Sequence, residues 1–275
     1  MLKYIRIFLV AAFVLALLGA GGLYLYNYTH EDVAPPAFDS DTDLLEVSVS
    51  ATDRQLCAGL RAYDNVDGDI TDRIMVKSIS QLINDTDVRV TYIVFDDASN
   101  YATYERTVRY ADYVPPHFSL SKGMSYNAGD TVTFLDRLSA RDAVDGDITS
   151  KLTLLHSSVV SNIPGTYSVT VSVTNSLGDS STLPLTVIVV NRTPSLPQIN
   201  LSEYLIYLPK GSPIRPRDYL AGVEDPLAED EINLREVRIN GKTINTDVPG
   251  VYEAYYYYTG ESGEIATAIL TVVVE

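Results

Sequence analysis

Tryptophan is absent from this 275-residue chain, cysteine occurs once and histidine three times. A lone Cys57 rules out a disulfide within the chain, so any folded part must hold together by packing, and Cys57 itself reads as a small buried apolar residue. His30, His117 and His156 are too scattered to suggest a zinc centre. No Gly-rich phosphate loop or serine elbow occurs, and Cys57 has no evident His partner, so the chain reads as non-catalytic. The lack of Trp argues against carbohydrate binding, although alternate tyrosines in Tyr255, Tyr256, Tyr257 and Tyr258 could form an exposed strip for stacking on sugar rings or a partner. The other tyrosines of that run would then face a core.

Positive charge is scarce as well, with 20 Lys and Arg against 36 Asp and Glu and a formal net charge of −16. Lys3 and Arg6 belong to an apolar N-terminal segment, which leaves 18 basic against 36 acidic residues in the remainder. So acidic a surface excludes nucleic acid and anionic membrane as natural partners, and it fits either plain solubility or the gathering of cations.

One long hydrophobic run is present. Ile5 to Tyr26 is almost wholly apolar, follows Lys3 and Arg6, and runs into Tyr24, Tyr26 and Tyr28, the pattern of a spanning helix with an aromatic belt. A cleavable signal peptide would have a shorter apolar core. The reading is therefore a single-pass anchor in the cell membrane through residues 5–26, with a short cytoplasmic N-terminus and everything beyond residue 28 outside.

Self-comparison shows the rest of the plan. Leu60-Arg61-Ala62-Tyr63-Asp64 matches Leu138-Ser139-Ala140-Arg141-Asp142, and "DNVDGDIT" at 64–71 differs from "DAVDGDIT" at 142–149 only in its second residue. Val90 to Asp96 matches Val169 to Asn175, and prolines at 35–36, 115–116, 194 and 197 mark the joints. A third, degraded unit places Leu220 to Glu224 where Leu138 to Asp142 stood, and has lost the glycine of the loop. Period-two runs rich in Val, Thr, Ile and Tyr fill each unit, separated by Asn, Gly and Asp turns. The fold class is all-β, with three tandem Ig-like antiparallel β-sandwiches behind an N-terminal transmembrane helix. The expected boundaries are an anchor or signal at 1–28, a stalk at 29–43, and domains at 44–112, 113–192 and 193–275.

"LRAYDNVDGDIT" followed by "VRVTYIVFDDASN", and "LSARDAVDGDIT" followed by "PGTYSVTVSVTNSLGDSST", resemble the bacterial Ig-like repeats of Gram-positive surface proteins, a type first noted beside a pesticidal crystal toxin. The resemblance covers residues 34–192 well and the third unit weakly. It implies an Ig-like sandwich serving as a stalk or adhesion module, and no catalysis.

The repeated loop admits two readings. Counted from Asp64, the third position is Val66 and the twelfth Met75, which excludes an EF-hand. A different calcium site remains open, because Asp64, Asp67 and Asp69 crowd three carboxylates into six residues and calcium accepts oxygens in flexible geometry. Sandwich topology would bring Asp96 and Asp97 to that loop. In the second unit, Asp142, Asp145 and Asp147, with Asn175 and the linker residue Asp112, would hold the ion at a joint between domains. The alternative is a turn, with Gly68 and Gly146 at positive φ, the aspartates bonding back to nearby amides, and Ile70 and Ile148 restarting a strand. In functional terms the chain reads as a surface adhesion or recognition protein with an unknown protein or glycan partner. The competing reading is a structural spacer or envelope-complex subunit with calcium-stiffened joints.

Overall fold

A computed structural model of the protein describes residues 2–275, the side chains of 27–30 excepted, so those of Asn27, Tyr28 and His30 lie outside the described residues. The helix α1 spans Leu2–His30, and its stretch from Leu2 to Tyr26 is long and apolar enough to cross a membrane, with its side chains exposed. The chain divides into two compact units, 1–111 and 112–275.

The first unit carries β1 (Ala37–Ser40), β2 (Leu44–Val47), a short helix α2 (Asp53–Leu56), β3 (Leu60–Asp64), β4 (Gly68–Asp69), β5 (Met75–Leu82), β6 (Asp87–Phe95) and β7 (Tyr101–Tyr110). Two sheets of order β1-β3-β4 and β2-β7-β6-β5 enclose its core. Alternation drives this: Val88, Val90, Tyr92 and Val94 of β6 are fully buried and Leu60 and Ala62 of β3 nearly so, while Arg61 and Tyr63, which alternate with the latter, face water.

The second unit repeats the plan twice. β8 (His117–Leu120), β9 (Ser125–Asn127), β10 (Leu138–Asp142), β11 (Gly146–Asp147), β12 (Thr153–Ser157), β13 (Gly165–Thr174) and β14 (Ser180–Val190) form sheets β8-β10-β11 and β9-β14-β13-β12. β15 (Gln198–Leu201), β16 (Leu205–Leu208), β17 (Leu220–Glu224), β18 (Arg238–Asn240), β19 (Gly250–Thr259) and β20 (Ile265–Val274) form sheets β15-β17 and β16-β20-β19-β18. These two sandwiches share apolar packing, since Leu205, Tyr207, Val251 and Val273 lie against the core that holds Val169, Val171 and Leu185. The Tyr207 ring stacks on His117 at 3.9 Å, and its hydroxyl accepts from the Phe118 amide at 2.8 Å.

Four features differ from the sequence reading. The stretch expected as a stalk at 29–43 contains β1, which pairs with β3 from Ala37↔Tyr63 to Ser40↔Leu60. The first strand of each sandwich breaks and its continuation changes sheet, so β2 pairs parallel to β7, β9 to β14 and β16 to β20. The larger sheets are therefore mixed rather than purely antiparallel. A helical turn, α2, stands where no helix was expected; its signal is a capping box, with Thr52 accepting from the Gln55 amide while the Gln55 side chain accepts from the Thr52 amide. Ile70 and Ile148 do not restart a strand; each is 1% exposed, plugs its core and leads into a 3-10 turn.

Two outcomes follow for stability. The turns after β6, β13 and β19 place Ser99, Gly178 and Gly263 at φ of 71°, 79° and 82°, so only the first copy holds a side chain in the left-handed region. Ser99→Gly should stabilise the first sandwich by about 0.5–1 kcal/mol in denaturant melts. Asp87, buried at 5% exposure, accepts from Arg109 at 2.8 and 3.0 Å and from Asn84 at 2.8 Å, and this holds its carboxyl well below the usual range. Asp87→Asn should cost about 1–3 kcal/mol at neutral pH. Because the folded-state pKa is depressed, that stability is present above the unfolded value of about 4 and is lost as pH falls further, so the gap between wild type and variant closes in acid.

Candidate cation site

The two repeated loops fold alike. Asp64 Oδ1 accepts from the amides of Val66 and Asp67 at 2.8 and 2.9 Å, and Asp142 Oδ1 from those of Val144 and Asp145 at the same distances. Gly68 and Gly146 sit at φ of 75° and 72°, which lets each loop reverse within two residues. Asp69 and Asp147 accept from the amides of Thr71 and Thr149, and the threonine hydroxyls, followed by these amides, lower both pKa values. All of these bonds are turn chemistry.

Further bonds tie each loop to the hairpin beside it. Asp67 Oδ2 accepts from the Asp97 amide at 2.6 Å and from Arg73, which also pairs with Asp97 at 2.8 Å. In the second sandwich Asp145 accepts from the Ser176 amide at 2.8 Å, the Ser176 hydroxyl at 2.6 Å and Lys151 at 2.7 Å. Burial works against charge at Asp145, yet Lys151 and Ser176 hold its pKa below the usual value. Asp67, Asp69, Asp97, Asp145 and Asp147 thus have protein donors or cations of their own. Asp67 and Asp145 brace the loop against the β6/β7 or β13/β14 turn.

Asp64 and Asp142 differ in their second oxygen. Asp142 Oδ2 accepts from Asn175 Nδ2 at 3.0 Å. Asn175 also donates to the Tyr113 hydroxyl at 2.8 Å, Tyr113 donates to Asp179 at 2.8 Å, and Asp179 returns its amide to Asn175 Oδ1 at 2.9 Å. Burial and Asp179 push the Tyr113 hydroxyl pKa far up, so it stays a neutral donor. In the first sandwich the pair is inverted: Asp96 occupies the place of Asn175, and Asn100 that of Asp179, with Asn100 donating to both Asp96 oxygens at 2.7 and 2.8 Å. Asp64 Oδ2 is buried without a hydrogen-bond partner. Carboxylate oxygens of Asp32, Asp64 and Asp96 lie within 4.8 Å of one another, the one such acidic cluster among the described residues.

Asp32 escaped the sequence reading. Its signal was the match of Asp32-Val33-Ala34-Pro35-Pro36-Ala37-Phe38 to Asp112-Tyr113-Val114-Pro115-Pro116-His117-Phe118, which pairs it with the expected linker ligand Asp112. Asp112 itself is exposed and enters no cluster of three acidic groups among the described residues. In the third sandwich the equivalent carboxylate is Asp225 rather than Glu224, because a bulge between Asn200 and Leu201 shifts the register by one and pairs Glu224 with Gln198. Asp225 Oδ2 accepts from the Glu261 amide at 2.9 Å, reaching into space left by Gly260, where a Cβ would stand 2.6 Å from that oxygen.

The tyrosine run divides as alternation requires. Tyr256 and Tyr258 are buried, with the Tyr256 hydroxyl donating to the Pro216 carbonyl at 2.5 Å. Tyr255 and Tyr257 stack on the opposite face at 6.2 Å and are half-buried. Tyr255 donates to Glu253 at 2.5 Å and lies near Thr186 of the second sandwich, and burial with Glu253 raises its pKa to about 12. Part of the strip is therefore used in packing the second sandwich against the third.

The inverted pair generates a test in the second sandwich. Asn175→Asp should destabilise it by about 1–3 kcal/mol at pH 7, because a second carboxylate then replaces the donor to buried Asp142. The deficit should shrink in urea melts as pH is lowered toward 4, where one of the two carboxyls takes a proton.

No family model matches the chain. A curated protein, pesticidal crystal protein Cry22Aa of Bacillus thuringiensis, is 26% identical over 232 residues, covering 78% of this chain. The chain spans 29% of that protein's length. Among solved structures, CBM51-2 in complex with GlcNAc and INT domains from Clostridium perfringens ZmpB align at 32% identity over 28% of this chain and 17% of that one, with a TM-score of 0.25. Drosophila N-cadherin EC1-3 aligns at 14% identity over 85% of this chain and 98% of that one, with a TM-score of 0.31. The sequence likeness to the crystal protein supports an array of β-domains in general terms.

Proposed function

We propose that this chain is a membrane-anchored, extracellular array of bacterial Ig-like domains that acts in surface adhesion or recognition without catalysing a reaction, and that calcium is its ion. The observation that carries the reading is the exposed apolar helix Leu2–Tyr26, which precedes β-sandwiches whose cores are complete without it. Exposed leucines, phenylalanines and tyrosines on that scale are stable only in a lipid or protein environment. With Lys3 and Arg6 at the short N-terminal end, charge bias directs the β-domains outward, as a single-pass protein.

The domains proposed are 44–112, 113–192 and 193–275, the first extended backward to take in β1. Their acidic surface and the half-buried Tyr255 and Tyr257 pair favour a protein or glycan partner over nucleic acid. Between the second and third sandwiches a groove of about 610 Å³ passes Lys122, Arg137, Gln198 and Tyr204. Arg137 lies over the Tyr126 ring at 3.9 Å and donates to the carbonyls of Gly123 and Ser125, so its charge braces the groove wall.

Protease added to intact cells that express the full chain should digest residues beyond 36 and leave the helix with the membrane pellet. Deletion of residues 2–30 should release a soluble product when the β-domains are expressed alone. A chain protected in intact cells, or a deletion product that still pellets with membranes, would overturn the assignment.

A further inference from the structure

One buried charge in the protein lacks the partner that its counterparts have. Asp64 is 1% exposed, and its first oxygen is taken by two loop amides. Its second oxygen is buried with no hydrogen bond, and its carboxylate lies within 4.8 Å of those of Asp32 and Asp96, measured between one oxygen of each. The corresponding oxygen in the second sandwich takes the Asn175 amide, and that in the third takes the Glu261 amide. In the first, Asp96 stands at the Asn175 position and brings a second negative charge where the others bring an N–H.

The donors around the cluster are all neutral. Asn100 gives its side-chain amide to Asp96 and to the Asp32 carbonyl, and Ala34 gives its backbone amide to Asp32 at 3.2 Å. No Lys or Arg pairs with Asp32, Asp64 or Asp96 among the described residues. Three carboxylates this close, two of them buried, repel unless a cation or a proton joins them. The donor set is all oxygen, which suits a hard ion. Calcium binds oxygens at about 2.3–2.6 Å, so oxygens on one ion stand up to about 5 Å apart. The observed 4.8 Å limit lies within that span.

We infer that Asp32, Asp64 and Asp96 form a calcium site in the first β-sandwich, and that the second and third sandwiches replace the ion by N–H donors at the same position. Asp32 lies two residues past the end of α1, so the ion also fastens the segment leaving the helix to the end of the first sandwich. The choice of calcium rests on the extracellular reading above, since calcium is the abundant hard divalent ion outside cells.

The test uses the full chain in detergent, stripped with chelator and titrated by calorimetry with calcium and, separately, with magnesium. One calcium per chain should bind with a Kd between about 10⁻⁵ and 10⁻³ M, with magnesium at least tenfold weaker, and saturation should raise the melting temperature. Asp32→Asn, at a half-buried position outside the core, should weaken calcium binding tenfold or more, and Asp145→Asn should leave it unchanged. Asp96→Asn, which installs the residue of the second sandwich, should remove the dependence of melting on calcium. No heat and no melting shift at about 10 mM calcium, magnesium binding as tightly as calcium, or equal binding by wild type, Asp32→Asn and Asp96→Asn would each overturn the inference. A chain that is digested on intact cells but binds no calcium refutes the site alone, and one that binds calcium but is protected refutes the location alone.

Discussion

Each sandwich sets a carboxylate at or just past the end of its third strand, buried in the first two and half-buried in the third, and the need to satisfy that group organises everything around it. Asp64, Asp142 and Asp225 each cap the loop that follows through Oδ1, taking amides two or three residues on. The turn closes without a long side chain, and Ile70 or Ile148 can then drop into the core. The cost is a second oxygen held away from water, where an unpaired ionised group is strongly unfavourable. Three answers occur in one chain: an asparagine amide, a backbone amide admitted by a glycine, and a cluster of carboxylates. The first two are neutral and local. The third needs a positive charge.

Much of this plan was legible in the sequence because it rests on local rules. The apolar run of α1, the alternation of β6, β13, β19 and β20, and the glycines at positive φ all follow from short-range periodicity or backbone sterics. The meeting of Asp64 with Asp96 was legible too, once two strands of a sandwich were taken to end on the same side. What stayed hidden depends on register and on partners distant in sequence. A bulge opposite Asn200 moves the third carboxylate from Glu224 to Asp225, and no count of alternating residues reveals an inserted one. β1 lay unseen because a four-residue strand next to prolines looks like linker until its partner β3 is known. Asp32 was missed for the same reason, since its role comes from the sheet edge onto which the strand delivers it.

The loop aspartates show why a motif alone was ambiguous. Of the six in the two copies of "DxVDGDIT", four serve the turn or its brace: Asp69 and Asp147 hold the threonine amide, while Asp67 and Asp145 tie the loop to the neighbouring hairpin. Spacing that crowds carboxylates in sequence disperses them in space, each toward its own donor. The acidic cluster is assembled instead from Asp32, Asp64 and Asp96, one residue from each of three separate segments. Likeness of the loops is therefore uninformative about the ion, and the difference lies at position 96 against 175, outside the repeat that draws the eye.

That difference has a mechanical consequence. A sandwich closed by N–H donors has a stability set by its own sequence, whereas one closed by carboxylates has a stability set by the medium. The dependence falls on the first sandwich, the one joined directly to α1, and it involves a residue of the joining segment. The second and third sandwiches, by contrast, are locked together by Tyr207, whose ring stacks on His117 and whose hydroxyl accepts from the Phe118 amide, and by apolar packing across their boundary. Rigidity between those two is thus built into the covalent sequence. Where the first sandwich meets the helix it is left to three carboxylates, on a protein whose excess of acidic residues already draws cations toward its surface.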